Sequence, residues 1–137
     1  MLVRLVSVVF AVLLLGACSA PPPYTNVDNS GLQQLLESSV TLIDIRRPEE
    51  WRETGVVEGS QGMTFVDASG RLVPGFLETF STMVSPDQPV VLICRTGNRT
   101  DVLGRHLVEK MGYSQVNNVR DGIIGCLGEG RPVNRPG

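Results

Sequence analysis

The stretch Pro89-Val90-Val91-Leu92-Ile93-Cys94-Arg95-Thr96-Gly97-Asn98-Arg99-Thr100 decides the fold. Its β-branched apolar run reads as a buried strand over 89–93, and the run stops at a cysteine. Small polar residues follow, and Gly97 can take the positive φ that lets the backbone turn sharply. From Arg99 onward the period becomes helical. Val102, Leu103, Leu107, Val108 and Met111 fall near one face, and Gly112 is the C′ stop of a helix over 99–111. Cys94 therefore sits in a tight loop between a strand end and a helix N-terminus. Backbone N–H groups and the positive end of the helix dipole favour an anion there. Arg95 and Arg99 add formal positive charge, so Cys94 is expected to act as a thiolate nucleophile at neutral pH.

Outward from this stretch the pattern keeps alternating. A helix is expected over 31–38, opened by a capping-box pattern at Ser30 and Gln33, and a strand over 40–45. A helical turn at 48–53, strand residues near Val57 and over 63–66, and a helix over 75–83 follow. Beyond the cysteine loop come a strand over 116–119 and a last short helix over 122–127. Such alternation implies an α/β domain whose parallel sheet is covered on both faces. Ligands bind such sheets beyond the carboxyl ends of the strands. Asp44, Cys94 and Asp121-Gly122 all fall at such ends, so three separate segments converge on one rim.

The six residues Cys94 to Arg99, of the form C-R-x-G-x-R, resemble the active-site loop of the rhodanese-like sulfurtransferases. Cysteine-dependent phosphatases need one more residue before the arginine to wrap a phosphate, and in this chain that position is Thr100. The strand Val40-Thr41-Leu42-Ile43-Asp44-Ile45-Arg46, with Pro48-Glu49-Glu50-Trp51 and Gly55, resembles the family's second signature. The chain departs from that signature after Gly55, where Val56 stands in place of the usual histidine, a residue that is not the family's nucleophile. Val116-Asn117-Asn118-Val119, Asp121-Gly122-Ile123 and Gly130-Arg131-Pro132-Val133 look like the family's last strand and C-terminal end, with Cys126 where a tryptophan is usual. The resemblance covers residues 30–134.

It implies a rhodanese-like α/β fold, a central parallel sheet of about five short strands with helices on both faces. It also implies a ping-pong sulfur transfer with no metal and no organic cofactor. Cys94 takes sulfane sulfur from thiosulfate or a persulfide donor and passes it to a thiophilic acceptor, such as cyanide, a thiol or a partner protein. The amides of Arg95, Thr96, Gly97, Asn98, Arg99 and Thr100 are expected to solvate the persulfide as an oxyanion hole would. Arg99 would stabilise the loop or a donor's charge, Arg95 would attract anionic donors, and Asp44 and Arg46 would brace the loop. Two other readings stand beside the enzyme: a non-turnover sulfur carrier, sensor or interaction module, and a cysteine phosphatase or arsenate reductase, which the loop length disfavours. His106 lies nearly two turns into the helix, too far to serve Cys94, and Trp51 reads as packing. Cys126 is open between a resolving thiol that pairs with Cys94 and a buried space-filler.

At the N-terminus, Arg4 precedes an apolar stretch over 5–15, polar only at Ser7, then Gly16-Ala17-Cys18. A basic residue, a short apolar region and small residues describe a secretory signal, too short to span a bilayer comfortably. Leu15-Gly16-Ala17-Cys18 resembles a bacterial lipobox, which implies a signal peptide over 1–17 and diacylglyceryl attachment at Cys18. The alternative is cleavage near Ala20, with Cys18 discarded. Ser19 resembles the sorting pattern for the outer membrane, so the expectation is an exported lipoprotein on the periplasmic side. Residues 18–29, with Pro21-Pro22-Pro23, read as a semi-extended tether, 30–134 as the domain and 135–137 as a tail.

From Cys18 onward eleven basic residues face fourteen acidic ones, a formal charge of −3. Nothing in that balance suits nucleic acid or acidic lipid. About 105 residues suit one domain with its own core.

Overall fold

In the computed structural model, which describes residues 19–136, Val90–Ile93 forms a strand with every side chain buried. Strand side chains alternate between faces. Val90, Leu92 and then Cys94 join one core cluster, while Val91 and Ile93 join the other. A strand that is apolar on both faces needs cover on both. Helices Phe76–Met83 and Asn98–Met111 give it on one side through Phe76, Phe80, Leu103 and Leu107. Helices Asn29–Glu37 and Gly122–Gly128 give it on the other through Leu32, Ile123 and Cys126. Each fully buried Leu, Ile or Phe here contributes about 1.5–3 kcal/mol of transfer free energy.

In chain order the elements are β1 Thr25–Val27, α1 Asn29–Glu37, β2 Thr41–Asp44, α2 Pro48–Thr54, β3 Val56–Val57, β4 Gln61–Gly62, α3 Phe76–Met83, β5 Val90–Ile93, α4 Asn98–Met111, β6 Val116–Val119, α5 Gly122–Gly128 and β7 Val133–Asn134. Five of the strands make one parallel sheet in the order β1-β6-β5-β2-β4, while β3 and β7 pair antiparallel apart from it. Thr41, Val90 and Val116 share a level, so Asp44, Ile93 and Val119 end together on one edge. The parallel sheet flanked by helices on both faces is the expected architecture.

Two segments differ from expectation. The tether reading of 18–29 fails from Tyr24 onward, because Thr25–Val27 adds an edge strand to β6 and Asp28, not Ser30, caps α1 by accepting the Gly31 N–H at 2.8 Å. Tyr24 fastens this strand. Its hydroxyl donates to the Asp101 carboxylate on α4, and its ring lies so close to Gly104 that a Cβ there would come within 2.8 Å. Burial and the Asp101 carboxylate push the Tyr24 phenol up to about 12. The strand expected over 63–66 begins earlier, at Gln61–Gly62, and then follows the chain leaving β2: Met63 N–H donates to Asp44 O and Phe65 N–H to Ile45 O.

Candidate active site

The Cys94 loop keeps its shape by interlocking with the turn after β6. Gly97 has φ +91° and lies where a Cβ would sit 2.1 Å from Arg120 O, so only glycine fits. Gly122 returns the contact: with φ +60°, its Cβ would sit 2.3 Å from Arg95 O. The first N–H groups of α5 then find acceptors in the loop itself, Ile123 N–H on Cys94 O at 2.9 Å and Ile124 N–H on Arg95 O at 3.2 Å.

Cys94 is 1% exposed. Gly97 N–H donates to its Sγ at 3.2 Å, and the Thr100 Oγ1 lies 3.3 Å from Sγ. Thr100 is fully buried, and its hydroxyl also donates to Gly97 O at 3.0 Å. The ring of amides expected from Arg95 to Thr100 concerns the outer sulfur of a persulfide; around the resting thiol the contacts are two. One amide, that of Gly97, reaches the sulfur, and a side-chain hydroxyl supplies the second polar contact. Arg95, Thr96 and Asn98 face solvent at the rim.

Arg99 forks onto Glu50 of α2, its two terminal nitrogens 2.8 and 2.7 Å from the carboxylate oxygens. The bidentate geometry is the strong form of this pair. The guanidinium holds the Glu50 carboxyl down at about 2, and Glu50 in turn raises Arg99. Glu50 also accepts Arg47 N–H at 3.0 Å, closing the start of α2. Glu50 lies within the stretch Pro48 to Trp51 that carries the second resemblance. That was the available signal, but its partner is 49 residues away and nothing local names it.

Asp44 and Arg46 are both 1% exposed and bonded to each other at 2.7 and 2.9 Å. Arg46 continues to Thr54 Oγ1 at 2.7 Å and Gly55 O at 2.9 Å. The pair expected to brace the Cys94 loop holds the end of α2 against β2, and α2 in turn meets the loop through the Glu50–Arg99 ion pair.

Cys126, the candidate redox partner, is a free thiol in the core cluster on the opposite face from Cys94, packed with Leu32, Val119 and Ile123. Burial pushes its thiol up. His106 is exposed on α4, and the Trp51 ring covers Gly62, where a Cβ would meet it at 2.6 Å. Cys18 lies outside the described residues. Among the described residues no group of three His, Cys, Asp or Glu side chains could hold a metal ion, and no helix is long and apolar enough to cross a membrane.

Known proteins resemble this chain in sequence and fold. The rhodanese-like domain family matches residues 28–126. A protein named sulfurtransferase from Allochromatium vinosum is 30% identical over 112 residues, which is 80% of this chain and 94% of that one. Thiosulfate sulfurtransferase 18 of Arabidopsis thaliana is 28% identical over 114 residues, 80% of this chain and 82% of that one. The solution structure of the polysulfide-sulfur transferase homodimer from Wolinella succinogenes superposes with a TM-score of 0.62 at 26% identity, covering 81% of this chain and 78% of the other. With a family model that spans residues 28–126 and a 30% identical relative matched over nearly its whole length, this protein belongs to the rhodanese-like domain family.

Proposed function

We propose that this chain is a sulfurtransferase that works through a persulfide on Cys94. The observation that carries the reading is the Cys94 sulfur at a sheet carboxyl end, touched by the Gly97 N–H and the Thr100 hydroxyl at the start of α4. With thiosulfate as donor, the Cys94 thiolate attacks the outer sulfur. A Cys94 S–S bond forms, the donor's S–S bond breaks, and sulfite leaves with that electron pair. In the second half a thiophile attacks the outer sulfur, takes it, and returns the electron pair to Cys94 Sγ. No redox partner and no proton transfer are needed when both nucleophiles are anions. Exposed Arg95 supplies positive charge at the mouth for an anionic donor. Relatives named for sulfur transfer support the class of substrate. The acceptor is a small thiophile or the thiol of a protein.

We further propose that the protein is exported and held on the periplasmic side of a bacterial membrane, in the outer membrane by the Ser19 pattern, through lipid on Cys18. The Arg4 start, the apolar run over 5–15 and Leu15-Gly16-Ala17-Cys18 support this. Incorporation of labelled palmitate that Cys18→Ser abolishes is the expected result; equal labelling of both chains rejects it.

The mass of the protein after thiosulfate treatment tests the chemistry. One added sulfur on the wild type, absent from Cys94→Ala and removed by cyanide, is the expected outcome. Repeated turnover to thiocyanate separates an enzyme from a carrier that only loads. A wild type that gains no sulfur from thiosulfate or a persulfide overturns both.

A further inference from the structure

A hydroxyl has one proton to give. The Thr100 hydroxyl has two acceptors in reach, Gly97 O at 3.0 Å and Cys94 Sγ at 3.3 Å. Gly97 O has a second donor, the Asp101 N–H at 3.1 Å, so it keeps a partner when the hydroxyl turns away. Gly97 N–H, by contrast, is fixed on the sulfur by the interlocked loop. A buried sulfur anion served by one amide would be under-solvated, and a charge-assisted hydrogen bond is worth roughly twice a neutral one.

We propose that the Thr100 hydroxyl is a switched donor: its proton rests on Gly97 O while Cys94 is a neutral thiol and turns to Sγ whenever that sulfur carries negative charge. Rotation about one side-chain bond accomplishes this, with no backbone movement and no orphaned carbonyl. The catalytic consequence rests on the sulfurtransferase reading above. There Sγ is charged twice per cycle, before it attacks the donor and again when the acceptor takes the outer sulfur and the broken S–S bond returns its electron pair. Between those moments Sγ lies inside the persulfide, the charge has moved to the outer sulfur, and the hydroxyl is released to Gly97 O. Other charged groups near the sulfur are matched: Arg99 by Glu50 on α2, Asp44 at the end of β2 by Arg46, and Arg120 by Asp121 in the turn before α5. Exposed Arg95 remains at the mouth. Substituting Thr100 changes none of these.

The test is a pH titration of ultraviolet thiolate absorbance on the detergent-solubilised full chain, with the Cys94→Ala spectrum subtracted so that the other cysteines cancel. Thr100→Val should move the Cys94 midpoint upward by about one pH unit or more, a tenfold loss of thiolate at a given pH, while Thr100→Ser stays near wild type. The acceptor half-reaction of preloaded Thr100→Val should slow by about tenfold and recover in Thr100→Ser. Thr100→Ala, which adds no methyl group, gives the same readout should valine disturb folding. A Thr100→Val or Thr100→Ala midpoint equal to wild type overturns the switch, as does a Thr100→Ser shift as large as valine's. A wild type that never loads sulfur removes the sulfurtransferase reading, yet the titration still decides whether the hydroxyl serves the charged sulfur.

Discussion

Cys94 and Cys126 are equally hidden, each 1% exposed and each a free thiol. Their surroundings differ in one respect. Cys94 lies just past a strand end, where a glycine N–H and a threonine hydroxyl meet its sulfur. Cys126 lies within α5 against Leu32, Val119 and Ile123, and burial is the largest influence on it, raising the thiol. Burial removes water from both sulfurs, but only the first receives polar groups in its place. On the sulfurtransferase proposal, what would mark the nucleophile is replacement of solvent by oriented donors, not concealment.

The sharpest way to break that contrast is to exchange the two thiols' fates. Cys94→Ala should abolish sulfur loading from thiosulfate, and Cys126→Ala should load as wild type, both read by mass spectrometry. A Cys126→Ala that no longer loads while still folded would make the two sulfurs partners. Next in size is the brace. Asp44→Asn leaves Arg46 buried without its counter-charge and should cost about 3–5 kcal/mol in urea unfolding. Folded Asp44→Asn should still load sulfur, because the pair acts on α2; loss of loading with stability intact would bring it into the chemistry.

Glu50→Gln should cost less, about 1–3 kcal/mol, since it keeps a hydrogen bond to Arg99 but loses the charge. This pair also predicts a pH window. The Glu50 carboxyl titrates at about 2 in the folded chain against an ordinary 4.5, so its contribution is complete above 4.5 and drains away as pH falls toward 2. Wild type should therefore lose stability relative to Glu50→Gln across that interval in acid unfolding, and parallel curves would reject the clamp. The smallest effect belongs to Cys126→Ala itself, about 1–2 kcal/mol from a void the size of a sulfur atom.

What could be read in the chain depended on how local the cause was. The β5 strand, the Cys94 loop and α4 are legible because period, glycine placement and charge all lie within two dozen consecutive residues. The Asp44–Arg46 pair was similarly near at hand, two residues apart. Glu50 was visible but unassigned, because its role depends on Arg99 arriving from another element. β1 escaped notice since Thr25-Asn26-Val27 is short, polar and at the sheet edge, with only Val27 half-buried. Sequence spacing places the loop N–H groups near Cys94 without fixing which of them meets the resting sulfur, and that one is Gly97.

The Tyr24 fastening shortens the leash. If lipid sits on Cys18, only residues 19–23 separate the bilayer from a chain held on α4 by the Asp101 contact. Five residues stretch to about 17 Å at most, less than the breadth of a domain whose radius of gyration alone is about 13 Å. So short a stalk gives no room to roam. Sulfur would be exchanged within reach of the headgroups, with reagents that come to the membrane.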